Sequence, residues 1–318
     1  AEGAAISAQI GHGGPVAAAR TNRSPALSPS TRTNLTAFSR SHAATVADLD
    51  RVVAQHAEAA RRAAATGFDA VEIHLGHNYL ASAFLSPKLN KRNDAYGGSL
   101  AHRARLSRDI ARAVRDAVGD RIAIIAKLNM EDGVPGGLGI AESTQVAQWL
   151  EQDGSVDALE LTAGSSLLNP MYLFRGDAPL KDFADVMPQP IKLGVRLVGG
   201  RILRSYPYED LYLLELAKQV RREVTLPLVL LGGITSRATV DRAMAEGFQL
   251  VAMGRALLRE PDLVARMAAD STVRSTCTHC NRCMPTNYTG TRCVLDHPVS
   301  PRSAAWASGG SIAKADPR

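Results

Sequence analysis

The chain has 318 residues, 45% of them hydrophobic and 5% aromatic, which is enough to bury a core and too apolar for a disordered chain. Its 37 Lys and Arg against 31 Asp and Glu leave a formal charge of +6. The cations are spread over helical stretches and interleaved with Asp, and no basic run alternates with base-stacking aromatics, so nucleic acid is not an expected partner.

No apolar run approaches the roughly 18 residues of a membrane-spanning helix, and no secretory leader is seen. The expectation is a cytoplasmic protein, away from membranes, that acts on a small molecule; an oligomer is compatible with this. From the amino end, short apolar runs and amphipathic stretches alternate. Strands are expected at Ala4–His12, Ala70–Leu75, Ile122–Asn129, Ala158–Ala163, Leu226–Gly233 and Leu250–Arg255. Continuous apolar runs of this length suit strands buried on both faces.

Between them, Val46, Leu49, Val52, Val53, Ala60 and Ala63 recur at helical spacing and predict one apolar stripe. Ser99 is placed to cap a second helix whose Leu106, Ile110, Val114 and Ala117 share a face. Thr235 or Ser236 can cap another, which Gly247 ends. "NRSPALSPSTRTN" reads as an exposed loop and the tail after Pro298 as a flexible end. Ser165 to Ser205 shows no clear period and reads as an excursion over one face, where long loops often carry function.

Strand–helix alternation predicts an α/β protein with a parallel sheet. A doubly wound fold would place a glycine-rich phosphate loop directly before the first helix. "QIGHGGPVAAAR" has the glycines but runs into Pro and a loop. The expected fold is therefore a (β/α)8 TIM barrel whose first two strands lie outside this sequence. Residues 1–270 would form the barrel, 271–298 a cysteine-bearing segment and 299–318 the tail.

Three groups of residues carry chemistry. In such barrels reactive groups stand at the carboxyl ends of the strands. The run Ala70–Leu75 ends near His74, with His77 and Tyr79 in the following turn. Two imidazoles can hold a carbonyl oxygen, and a phenol, protonated at neutral pH, can deliver a proton. The spacing also suits a metal pair, without an obvious third ligand, and both rings could merely bond to backbone. "LLGGITS" and "AMGRALL" place Gly232, Gly233, Gly254 and Arg255 at the last two strand ends, where a phosphate cradle is expected. All four cysteines, Cys277, Cys280, Cys283 and Cys293, fall in one short stretch, which suits a metal cluster or a zinc ion, or simply free thiols.

"GFDAVEIHLGHNYLASAFLSPKLNKRNDAYGGSLAHRARL" resembles the central motif of the old yellow enzyme family, the NADH:flavin oxidoreductases. The resemblance runs from about Ala4 to Asp262. The cysteines extend it toward the subgroup of 2,4-dienoyl-CoA reductase and trimethylamine dehydrogenase. It implies an FMN-linked barrel reduced by NAD(P)H, with a [4Fe–4S] cluster on the cysteines. Gln9 then matches the residue at the flavin pyrimidine edge, and Lys127 takes the place of the basic residue near flavin N1 and O2. Gly232, Gly233, Gly254 and Arg255 would hold the FMN phosphate. His74 and His77 would hold a substrate carbonyl, and Tyr79 would be the proton donor. The implied reaction is reduction of the activated C=C of an α,β-unsaturated carbonyl compound.

Departures from the family pattern are Gly76-His77-Asn78-Tyr79 for A-H-G-Y, "SLAHR" for S-L-E-N-R, and a shorter last gap between cysteines. Two other readings compete. One is a catalytically silent relative whose cysteine segment is a metal-binding or interaction module. The other is an aldolase-like barrel using Lys127 as a Schiff-base amine.

Overall fold

Six parallel strands form one sheet in a computed structural model of the chain, which describes residues 3–17, 24–34, 39–187, 189, 191–201 and 203–296. In chain order they are β1 (Ser7–Ile10), β5 (Ala70–Leu75), β6 (Ala123–Asn129), β7 (Ala158–Thr162), β8 (Leu228–Leu231) and β9 (Leu250–Ala252), each hydrogen-bonded to the next. Every expected strand is present, Ala70–Leu75 with the bounds expected and the others shortened at their ends. Sequential parallel strands with intervening helices are the arrangement of a (β/α)8 barrel, and the described residues supply six of its strands. The expected tail lies outside the described residues.

The core lies between the sheet and the helices that cover it. Helix α1 (Val46–Ala65) starts in a capping box, in which the Asp48 N–H donates to Thr45 Oγ1 at 3.1 Å and the Thr45 N–H donates back to Asp48 Oδ2 at 2.8 Å. Its Leu49, Val52, Ala60 and Ala63 are buried as expected, but Val46 is 51% exposed because the first helical position precedes contact with the sheet. The short helix α2 (Leu80–Leu85) is wholly buried. Ser99 caps α3 (Leu100–Val118), whose Leu106, Ile110 and Val114 pack on Ile73, Ile124 and Leu128 in the same core. Helices α4 (Ile140–Gln152), α5 (Leu180–Val186), α6 (Ile191–Val198) and α7 (Leu214–Arg221) follow, and then α8 (Arg237–Ala245), capped by Ser236 rather than Thr235, with Gly247 just past its end. Helices α9 (Arg255–Arg259) and α10 (Leu263–Ala269) close the barrel portion.

Two expectations are corrected. The stretch expected as an exposed loop contains β2 (Leu27–Ser28) and β3 (Arg32–Asn34), which pair on either side of β4 (Ser39–Ala43), and Ala26, Ser28 and Pro29 are buried. Arg92 explains the order there, since its guanidinium donates to the carbonyls of Pro29 at 3.1 Å and Ala44 at 2.7 Å. The excursion from Ser165 to Ser205 is not irregular throughout, for it contains α5 and α6.

Candidate active site

Strand register decides which side chains meet. Val71, Ile73 and Leu75 of β5 face the helices and are fully buried, so Glu72 and His74 face the opposite side. His74 stands level with Lys127 of β6, and Lys127 with Glu160 of β7. The result is a row of charged groups across three strands. Lys127 Nζ lies 2.9 Å from Glu72 Oε1 and 3.1 Å from Glu160 Oε1, and Gln9 Nε2 of β1 donates to the same Glu72 oxygen.

Burial, reinforced by Glu72, pushes the Glu160 carboxyl up to about 7. Burial opposes ionisation of Glu72 as well, but hydrogen bonds from Glu160, Lys127 and Gln9 hold it below the usual carboxylate range. Burial likewise works against a charged Lys127, yet Glu160 and Glu72 raise it above the ordinary lysine value. An amine held as ammonium beside Glu72 and Glu160 is poorly suited to act as a Schiff-base nucleophile.

The turn after β5 gathers the two histidines and the tyrosine. His74 and Tyr79 have ring centres 4.7 Å apart, and His74 and His77 5.2 Å apart, edge to face. Burial, with Lys127 next, lowers His74 to about 4; burial, then His74 and Lys127, lowers His77 to about 3. Both imidazoles are therefore neutral across physiological pH. The Gly76 N–H donates to His74 Nδ1 at 3.2 Å, which leaves the His74 Nε2–H as a donor. His77 Nε2 lies 2.8 Å from Thr162 Oγ1 at the end of β7.

The unusual Asn78 is fully buried at φ 58°, a left-handed backbone that Asn tolerates better than most residues. Its Nδ2 donates to Asp132 Oδ1 at 2.9 Å, so a side-chain tether stands where the family pattern has glycine.

Gly232 and Gly233 after β8, and Gly254 after β9, line one open cleft of about 520 Å³ together with Thr235, Tyr208, Tyr212 and Arg255. Gly233 has φ 74°, and a Cβ there would lie 2.4 Å from Leu211 N, so only glycine lets the chain pass; space in front of Gly254 is open. Helix α9 has only five residues, so the cleft offers an anion the free N–H groups of its turns rather than a macrodipole. The Arg255 guanidinium is partly committed elsewhere, donating to the Arg175 carbonyl at 2.8 Å and to Asn281 Oδ1. The glycine-lined cleft, Gln9 and the cationic Lys127 fit FMN.

All four cysteines line one further small pocket beside Arg255 and Asn281. Among the described residues no group of three or more His, Cys, Asp or Glu is already drawn together as the ligands of a metal ion. The four thiols are free and half-buried. Sequence reasoning missed Glu72, Glu160, Thr162 and Asp132. The signal for the first two was present, as charged residues inside otherwise apolar strand runs.

Comparison with known proteins agrees with this geometry. Residues 1–165 match the NADH:flavin oxidoreductase / NADH oxidase family. The 4,4'-dithiodibutanoate disulfide reductase of Rhodococcus erythropolis is 50% identical over 96% of this chain and 75% of its own length. The NADH oxidase of Thermoanaerobacter brockii is 29% identical over 69% of this chain but only 29% of its own length. Among solved structures, 2-naphthoyl-CoA reductase superposes with a TM-score of 0.74 at 22% identity, covering 97% of this chain and 44% of that one, and shows the shared fold. The chain thus belongs to the NADH:flavin oxidoreductase / NADH oxidase family, the FMN-linked barrel oxidoreductases that include old yellow enzyme. Its relatives are named as oxidoreductases, which favours an enzyme over a silent module. Among the described residues no helix is long and apolar enough to cross a membrane.

Proposed function

We propose that the protein reduces the activated C=C of an α,β-unsaturated carbonyl compound at the expense of NAD(P)H. Bound FMN would supply the hydride-transfer chemistry between NAD(P)H and the substrate β-carbon. Gly232, Gly233 and Gly254 would hold its phosphate, with Arg255 at the rim. Gln9 would meet the pyrimidine edge, and Lys127 would set a positive charge beside it. The His74 Nε2–H and the His77 ring hold the carbonyl oxygen as neutral donors, and Tyr79 protonates the α-carbon. One C=C bond is lost and two C–H bonds form, one hydrogen arriving as hydride and one as proton.

The observation that carries this reading is the packing of the neutral His74 ring, its Nδ1 occupied by Gly76, against the Tyr79 phenol at 4.7 Å. In this reading residues 1–270 form the flavin-binding barrel and 271–298 a cysteine segment that would hold a [4Fe–4S] cluster for electron relay.

A second reading is favoured by the relative that is 50% identical and named as a disulfide reductase. There the same site would deliver hydride to one sulfur, the S–S bond would break, and Tyr79 would protonate the departing thiolate, giving two thiols. Anaerobic rapid mixing separates the two, with an enone in one arm and an organic disulfide in the other. In the first reading the enone reoxidises the reduced protein faster. Tyr79→Phe should slow that half-reaction about 10²- to 10⁴-fold, the range of a lost general acid, and leave reduction by NAD(P)H largely intact. Equal loss in both halves would remove Tyr79 from the role.

A further inference from the structure

The excursion after β7 carries a cation without a counter-charge. The guanidinium carbon of Arg175 lies 4.7 Å from the ring centre of Tyr172, 4.9 Å from that of Tyr206 and 5.9 Å from that of Tyr212. Its buried Nε has no hydrogen-bond partner. In the same region Lys192 and Arg196 hold Asp185, and Arg282 holds Asp182. Among the described residues no ion pair includes Arg175. Rings stabilise a guanidinium through its faces, but they satisfy none of its N–H donors, and a buried donor without a partner costs about 1–3 kcal/mol. A planar guanidinium fork whose faces are covered can take two oxygens of one anion along its edge.

The box is held in shape by its own bonds. The Ser166 N–H, where the excursion begins, donates to the His77 carbonyl at 3.0 Å. Tyr172 lies so close over Gly133 that an added Cβ would be 2.5 Å from its ring, and its hydroxyl donates to Glu131. Asn169 Nδ2 bonds the Gly133 carbonyl and the Tyr206 hydroxyl, both at 2.8 Å, and the Tyr212 hydroxyl donates to the Leu173 carbonyl at 2.7 Å. Such a preformed receptor binds without first ordering its own side chains.

We propose that Arg175 is an anion receptor on the substrate side of the site, so that the protein selects electrophiles bearing a carboxylate. This rests on the reading of the site given above and names its substrate class. Tyr212 also lines the glycine cleft, so the FMN phosphate is the other anion that could reach this fork. The contact of Ser166, at the start of the excursion, with the His77 carbonyl favours the substrate.

Arg175→Gln and Arg175→Lys holoprotein would be compared with wild type in three measurements: FMN affinity, butanoate binding by calorimetry and flavin absorbance, and steady-state kinetics with a 2-enoic acid and its methyl ester. In Arg175→Gln, butanoate affinity should fall and KM for the acid should rise about 10- to 100-fold, the cost of one charge-assisted pair. The change for the ester should be far smaller, FMN affinity should hold, and Arg175→Lys should recover part of the loss. Equal effects on acid and ester would overturn the proposal. So would a loss of FMN affinity with butanoate unaffected, or a defect confined to NADPH relative to NADH. Failure of the wild-type protein to bind FMN would instead strike the flavin reading, and calorimetry with butanoate on the FMN-free protein would still test Arg175.

Discussion

At the scale of single residues, the site works by keeping titratable groups in chosen protonation states. His77 has its Nε2 against Thr162 Oγ1 at 2.8 Å, and a hydroxyl there fixes the ring plane and decides which nitrogen faces the substrate. Thr162→Val, nearly isosteric in a fully buried position, should raise KM for the carbonyl substrate about tenfold, the worth of one oriented hydrogen bond. Reduction by NAD(P)H should change little; stopped-flow traces of the two half-reactions check this. Glu160 supplies a pH signature. The folded chain keeps a proton on it up to about pH 7, while the unfolded chain releases that proton near the ordinary value of 4.5. Stability from this group is whole below the lower value and is lost as pH rises through the upper one. The histidines act oppositely. Held down to about 4 and about 3 from 6.5, they refuse protons that the unfolded chain accepts, so their contribution is lost as pH falls below 6.5. Glu160→Gln removes the first effect and leaves the second. The mutant's Tm relative to wild type should therefore climb from about pH 5 to about pH 8, and a constant difference would mean that Glu160 is ionised throughout.

At the scale of elements, the catalytic turn is positioned by a contact between β1's following loop and α2. Gly14 has φ 57°, and a Cβ there would sit 2.5 Å from the Leu80 N, beside the N–H that donates to the His12 carbonyl at 3.0 Å. Gly14→Ala should cost about 2–4 kcal/mol in urea unfolding, combining strain with overpacking. It should also depress turnover, because Tyr79 stands at the N-terminal end of the helix that must move. The six barrel strands were legible because a strand buried on both faces leaves an uninterrupted apolar run whatever surrounds it. The small sheet of β2, β3 and β4 was not, since its strands are two to five polar residues long and owe their order to the distant Arg92. Helices α5 and α6 were hidden for a related reason: they sit among Pro and Gly and are only seven and eight residues long, too short to set a period by themselves.

At the scale of the whole molecule, the residues legible in sequence are those close together along it, while those that join its parts are not. His74, His77 and Tyr79 share one turn, and the glycines sit at strand ends, so pattern alone could find them. Nothing in "CNRC" indicates that Asn281 is the joint between cysteine segment, excursion and barrel. It is 1% exposed at φ 55°. Its Nδ2 donates to the carbonyls of Phe174 at 2.7 Å and Asp177 at 2.9 Å, and its Oδ1 accepts from Arg255, which also holds the Arg175 carbonyl. One amide thus satisfies two loop carbonyls and one guanidinium at the place where the glycine cleft, the Arg175 box and the cysteine pocket adjoin. Asn281→Ala strands all three partners, at a cost of about 3–5 kcal/mol if they stay buried. The cheaper response is for the segments to part, because hydration of the freed groups recovers most of that cost. Limited proteolysis should then cut the variant in the cysteine segment while the barrel resists, and FMN retained after gel filtration should fall with it. Cleavage spread evenly over the chain would mean that Asn281 supports the fold as a whole rather than this junction.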